Sequence, residues 1–226
     1  MKNILIASSL AALTILASCQ SKTTPEVKNY WPQAGVTYEI FVQSFNDSNG
    51  DGIGDFNGVT QKLDYIKELG ANAIWFMPIM PSPTYHKYDV TDYKAVHPDY
   101  GTMADFKRLL DEAHARDIKV VIDMIINHTG SDHPWFLASK KGRENPYRDY
   151  YVWAQKDTIA SYLNKKTVTL DSDNIRQWHD PGQGQDYYYG FFWGGMPDLN
   201  FDSPKVREEI VSIGKFWLEE VGVDGF

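Results

Sequence analysis

Two nearly continuous apolar runs, ANAIWFMPI at residues 71–79 and IKVVIDMII at 118–126, limit most strongly what this chain can fold into. Runs without polar alternation are expected for strands covered on both faces, and such strands belong to parallel sheets. Parallel neighbours need a crossover between them, commonly a helix. Thr102 to Asp105 supplies one start, a capping box with Asp in place of Glu, followed by Met103, Phe106, Leu109, Leu110 and Ala113 on one stripe. Upstream, VTYEIFVQSF (36–45) is rich in β-branched and aromatic residues and reads as a first strand. Asn57 can cap a helix carrying Val59, Leu63, Ile66 and Leu69, stopped by Gly70. Ser203-Pro204 opens another with Val206, Ile210, Ile213, Trp217 and Val221, and GVDGF (222–226) reads as the opening of a fourth strand.

The order is strand, helix, strand, helix, strand, an irregular aromatic stretch from 128 to about 200, helix, strand. That is a βα repeat, and a doubly wound sheet or a βα barrel both fit. No glycine-rich phosphate fingerprint joins a strand to a helix, which weakens the dinucleotide-binding version. A closed barrel takes about 250 residues and eight strands, and about half of those strands are read here. A net charge of −8 on 226 residues argues against a nucleic-acid partner, which needs a basic stripe.

The N-terminus reads as a separable leader. Residues 1–18 form a short positive start and an apolar run too short to span a bilayer, ending in Leu16-Ala17-Ser18-Cys19. That ending resembles the lipobox of bacterial lipoproteins, so Cys19 is the expected lipidation site, with residues 19–30 as a polar tether. The resulting expectation is a cell-envelope lipoprotein held to a membrane through Cys19. Gln20 favours the outer membrane, on its periplasmic or surface-facing side. Cys19 is the only cysteine, so no internal disulfide can form.

The stretch FNDSNGDGIGDFNG (45–58) resembles the start of an EF-hand calcium loop. An EF-hand needs a preceding helix and a bidentate Glu at the twelfth position; here a strand precedes and Gly58 occupies that place. The oxygens of Asp47, Asn49, Asp51 and Asp55 with the Ile53 carbonyl still form a hard-cation set. A structural Ca2+ staple is the expected reading, and an acidic turn that binds nothing is the other.

Together with this loop, YHKYDVTDY (85–93), DMIINH (123–128), MPDLN (196–200) and the terminal GVDGF resemble, in order, the motifs of the α-amylase family, glycoside hydrolase family 13. The resemblance implies a (β/α)8 TIM barrel with a B domain inserted after the third strand. The expected organisation is a first barrel part at 31–128, the inserted domain at 129–200 and a continuation of the barrel at 201–226, so that only the N-terminal half is represented. It further implies that Tyr88 stacks on a sugar, that His86 and His128 lie beside the same sugar, and that Asp89 helps bind the chain end. Asp123 would brace an active-site arginine, with Asn127 at the same strand end. Lys87 replaces a glycine common in that motif. The aromatics of YYVWA, QWHD and DYYYGFFWGG can serve as sugar platforms, and most of them are expected to pack inside the inserted domain.

A retaining glycosidase needs two carboxyl groups about 5 Å apart. In the family the nucleophile follows GVDGF and the acid/base comes later, so no catalytic residue is expected up to Phe226, and the chain alone is expected to be inactive. The implied function is hydrolysis of α-1,4 bonds, with α-1,6 as a second possibility, in α-glucans such as starch and maltodextrin. The alternative is an inactive, envelope-anchored relative that binds glucan. A solute-binding lipoprotein would share the anchor and the α/β core but not the ordered motifs.

Overall fold

The computed structural model describes residues 35–163, 177–182, 184 and 186–226. The leader at 1–18, Cys19 and the tether at 19–30 lie outside the described residues.

Strands β1 (Val36–Ile40), β2 (Ala71–Phe76) and β3 (Lys119–Ile122) form a parallel sheet in the order β1-β2-β3. Trp75 sits between Glu39 and Val121 in the register. At the C-terminus the Asp224 N–H donates to the Val120 carbonyl at 2.7 Å and the Ile122 N–H to the Gly225 carbonyl at 3.2 Å, so GVDGF pairs along β3. Asp224 locks that join: its carboxylate accepts from His114 at 2.7 Å, the Val120 N–H at 2.8 Å and Lys119 at 3.0 Å.

Helices α1 (Phe56–Gln61), α2 (Leu63–Glu68) and α3 (Met103–His114) cover the sheet. Phe56, Val59, Leu63 and Ile66 join Phe106, Leu109, Leu110 and Ala113 in one core with Ile74, Phe76, Val120 and Ile122. The capping box at α3 forms as its sequence indicates: Thr102 Oγ1 accepts the Asp105 N–H at 3.2 Å and Asp105 Oδ2 accepts the Thr102 N–H at 2.9 Å. The Thr102 hydroxyl and N–H and Arg108 hold the Asp105 carboxyl down at about 2. A depressed carboxylate stabilises the fold above its unfolded pKa and stops doing so as pH falls through its folded value. Asp105→Asn is therefore expected to cost about 1 kcal/mol near neutral pH. That difference should shrink in urea melts as pH falls through about 2 and vanish only below it, where both side chains are neutral.

Four elements depart from expectation, the first being the helix read up to Gly70, which is split at Lys62 into α1 and α2 and leaves Leu69 exposed. The first strand stops at Ile40, and Val42–Ser44 is a 3-10 turn, because the following loop folds back on it. The Gly54 N–H donates to the Gln43 carbonyl at 2.8 Å, and a Cβ on Gly54 would lie 1.9 Å from the Val42 oxygen. The cap of α1 is Asp55, which accepts the Gly58 N–H at 2.7 Å; Asn57 lies inside the first turn and bonds Arg108 instead. The third strand ends at Ile122, leaving Asp123–Ile126 as loop.

After β3 come α4 (Pro134–Ser139), β4 (Trp153–Ala154), α5 (Lys156–Leu163), β5 (Trp178–His179) and β6 (Tyr187–Tyr189). The three short strands form an antiparallel sheet in the order β4-β6-β5. Phe136, Tyr150, Tyr151, Tyr188, Leu199 and Val206 make a second apolar cluster beside it. Residues 164–176, 183 and 185 of the stretch read as an insertion lie outside the described residues. Helix α6 (Pro204–Lys215), with Pro204 in its first turn, runs into a π-helical turn at Phe216–Val221 and returns Val206, Ile213, Trp217 and Val221 to buried positions.

Candidate functional site

The C-terminal ends of β2 and β3 carry the groups that meet in one place. Strand alternation puts Val121 and Asp123 on the same face, and the register sets Trp75 beside Val121. Trp75 and Asp123 are thereby neighbours, and the indole Nε1–H donates to Asp123 Oδ1 at 2.7 Å. Asp123 Oδ2 accepts the Tyr88 hydroxyl at 2.9 Å. Partial burial, reinforced by the Asp123 carboxylate, pushes the Tyr88 phenol up to about 12. Tyr88 stays protonated, and its ring is clamped by a hydrogen bond to a charge.

Tyr88 forms one wall of a cleft of about 380 Å³, together with His86, His128, Phe192, Trp193 and Met196. His86 Nδ1 accepts the Tyr88 N–H at 3.1 Å, which fixes the two side chains relative to each other. His128 is 4 % exposed. Its Nε2–H donates to the Tyr88 carbonyl at 3.1 Å, and its Nδ1 accepts from the Asn127 amide at 3.3 Å. Those two partners select the neutral Nε2–H tautomer, and burial lowers the pKa, opposed by the Tyr88 carbonyl. The Tyr93 hydroxyl holds the same loop from beneath, 2.9 Å from the Ile125 carbonyl and 2.8 Å from that of His128.

The opposite wall is a turn of the aromatic stretch. Phe191, Phe192 and Trp193 are each about half exposed, and Phe192 meets His128 edge-to-face at 5.1 Å. Asp198 Oδ1 accepts the Phe191 N–H at 2.9 Å, and the Met196 N–H bonds the Trp193 carbonyl at 3.0 Å. Burial raises the Asp198 carboxyl, opposed by the Phe191 N–H, the Asn127 side chain and His128. Asp198 thus ties the aromatic turn to the His128 loop. Elsewhere in this stretch Tyr150, Tyr151 and Tyr188 are buried, as packing residues should be.

The structure therefore brings His86, Tyr88 and His128 together on the cleft, with Asp123 and Asn127 directly behind them. Asp89 is placed apart from the cleft wall. It is 2 % exposed, and its Oδ1 accepts the Ser82 hydroxyl at 2.5 Å and that of Thr84. Trp75 is a site residue that sequence reading does not single out, while Phe192 and Trp193 lie in the aromatic stretch DYYYGFFWGG and Met196 and Asp198 in the MPDLN motif, none of them with a role of its own. Trp75 lies in an apolar run that reads as buried throughout, yet it is 39 % exposed.

The acidic loop stands apart from this cleft, at the end of β1. Asp47 accepts the N–H groups of Asn49, Gly50 and Gly52 at 3.1, 2.7 and 2.8 Å. The Gly52 and Gly50 N–H groups hold its carboxyl below the usual range. Asp51 accepts the Ile53 N–H at 2.8 Å and the Asn49 amide at 3.0 Å. Asp55 turns inward, accepting Ser48 as well as Gly58. Among the described residues no three His, Cys, Asp or Glu side chains converge enough to hold a metal. The chemistry of the set, oxygen donors on a glycine-rich turn, nevertheless fits a hard divalent cation.

Residues 39–226 match the catalytic domain of alpha amylase as a family. Alpha-amylase 3 of Dictyoglomus thermophilum is 50% identical over 196 residues, which cover 87% of this chain and 36% of that protein. An oligo-1,6-glucosidase of Parageobacillus thermoglucosidasius is 44% identical over 201 residues, 88% of this chain and 35% of that one. The crystal structure of an alpha-amylase from H. orenii superimposes with a TM-score of 0.76 at 49% identity, covering 87% of this chain and 40% of that one. The chain spans about a third of the length of these curated relatives.

Proposed function

The chain belongs to the α-amylase family of glycoside hydrolases, and from that premise we propose that it is part of a retaining hydrolase of α-glucans. The bond we assign to it is the α-1,4 glucosidic bond of starch or maltodextrin, with α-1,6 bonds as a second substrate. The relatives' names include both an alpha-amylase and an oligo-1,6-glucosidase.

One observation carries the reading: Tyr88, clamped by Asp123, presents its ring to a cleft shared with His86 and His128. An aromatic face against the C–H face of a pyranose, with imidazoles at its edge, is chemistry suited to a sugar. The acids around it already have structural partners. Asp123 holds Trp75 and Tyr88, Asp89 holds Ser82 and Thr84, and Asp198 holds Phe191. In this reading the nucleophile and the acid/base come from residues following Phe226. What this part of the protein does is seat and orient one sugar ring and limit water around it.

The test is to incubate the full-length protein with maltoheptaose and, separately, with isomaltotriose, following the anomeric protons by NMR. Release of the α-anomer from maltoheptaose is expected. Absence of turnover on both, or release of the β-anomer, would refute the reading.

We also propose that Asp47, Asn49, Asp51, Ile53 and Asp55 hold Ca2+ as a structural staple. Support comes from the oxygen-rich turn and from the role of Asp55 as cap of α1, which would join the ion to the first helix. A ligand bound only by the folded state stabilises it by mass action. Chelation with EGTA should lower the melting temperature of the full-length protein by several degrees, roughly 1–3 kcal/mol of linkage. A melting temperature unmoved by EGTA and by added CaCl2 would remove the staple.

A further inference from the structure

Lys87 lies between two cleft residues, His86 and Tyr88, yet it is itself 5 % exposed and has a φ of 66°. A side chain in the left-handed region carries a backbone cost that glycine does not. An ammonium taken out of water carries another unless it is paired. Two costs at one position, both removable by glycine, point to something the side chain does. Lys87 Nζ donates to the Thr84 carbonyl at 3.1 Å and lies 5.7 Å over the Tyr100 ring. Burial lowers its pKa, and Asp99 and Asp89 oppose that shift.

The group it reaches belongs to the site's own framework. The Thr84 hydroxyl bonds Asp89 and lies 3.3 Å from His86 Nδ1, and that nitrogen accepts the Tyr88 N–H. Gly130 backs the loop so closely that a Cβ there would lie 2.6 Å from the Asp89 carbonyl oxygen. The ammonium therefore spans the inside of the loop from which His86 and Tyr88 project.

We infer that Lys87 is a positioning residue whose buried ammonium sets the spacing of His86 and Tyr88 on the cleft wall, and with it how tightly a sugar seats there. The sugar rests on the function proposed above; the positioning does not. Two variants of the full-length protein separate charge from backbone. Lys87→Met keeps the aliphatic stem and the left-handed cost but removes the charge. Lys87→Gly removes both and should melt no lower than the wild type.

The first readout is hydrogen exchange at the Tyr88 amide. Both variants are expected to exchange there about tenfold faster or more, with the amides of α3 unchanged. The second is steady-state kinetics on maltoheptaose, where KM should rise about tenfold while kcat moves less. Lys87→Arg, which keeps a donor, should restore most of the loss. Wild-type exchange at Tyr88 in the methionine variant would overturn the inference whatever the kinetics show. Loosened exchange with an unchanged KM would overturn it too, leaving a merely structural lysine. A wild-type protein inactive on every glucan would instead refute the proposed function, and exchange alone would then decide the role of Lys87.

Discussion

Replacing Trp217 with alanine should be the most destabilising single change in the described structure, costing about 3–5 kcal/mol in denaturant melts of the full-length protein. Trp217 is fully buried and packs edge-on to Phe106 at 6.0 Å and to Phe216 at 5.4 Å. Removing the indole leaves a cavity at the centre of the main core, where close packing limits relaxation. It also strips the Tyr93 carbonyl of its partner, since the Trp217 Nε1–H donates there at 2.7 Å. A buried acceptor left unpaired adds about 1–3 kcal/mol to the loss. Trp217→Phe should recover part of the packing but not that hydrogen bond. Because Tyr93 also supports the Ile125 and His128 carbonyls, both variants should raise exchange in the 125–128 loop. An alanine variant as stable as the wild type would show that the π-helical turn after α6 does not secure the core.

On the proposed function, Asp123→Ala is expected to have the largest effect on activity, a fall of about 100-fold in kcat/KM of the full-length protein on maltoheptaose. The carboxylate holds two donors from different parts of the chain, Trp75 at 2.7 Å and Tyr88 at 2.9 Å. Its loss frees the Tyr88 ring to leave the cleft wall, and displacements of about 1 Å at a binding surface cost rates of this order. Asp123 is only partly buried, so the melting temperature should move little. Asp123→Asn can accept at one position but not at both, and should fall between. Equal kcat/KM for wild type and Asp123→Ala would show that the clamp does not order the site.

Some of this architecture was legible residue by residue. The α3 stripe and its capping box are local signals, complete within Thr102–Ala113, and both appear as read. The apolar runs at 71–79 and 118–126 do contain β2 and β3. His86, Tyr88 and His128 lie in motifs read from the sequence, and the structure gathers them on one cleft. The cap of α1 was not legible. Asp55 and Asn57 are both competent caps, and the turn at Val42–Ser44 decides between them by fixing where the loop returns. Nor was the exposure of Trp75, because it lies in an apolar run whose neighbours Ile74 and Phe76 are fully buried.

By itself the sequence determined the βα order, the parallel sheet that follows from it, and the family to which the chain belongs. Each is carried by short-range periodicity, by caps, or by motifs a few residues long. Only the tertiary structure decided which side chains meet. Trp75 and Asp123 become neighbours because the parallel register of β2 and β3 sets their C-terminal ends side by side, and the Tyr88 hydroxyl joins them there. Phe192 and Trp193 reach the cleft because Asp198 fastens their turn near His128. The contacts of Asp123 with Trp75 and Tyr88 and of Phe192 with His128 join residues tens of positions apart, and their geometry is set by the packing of whole elements, to which no local pattern has access.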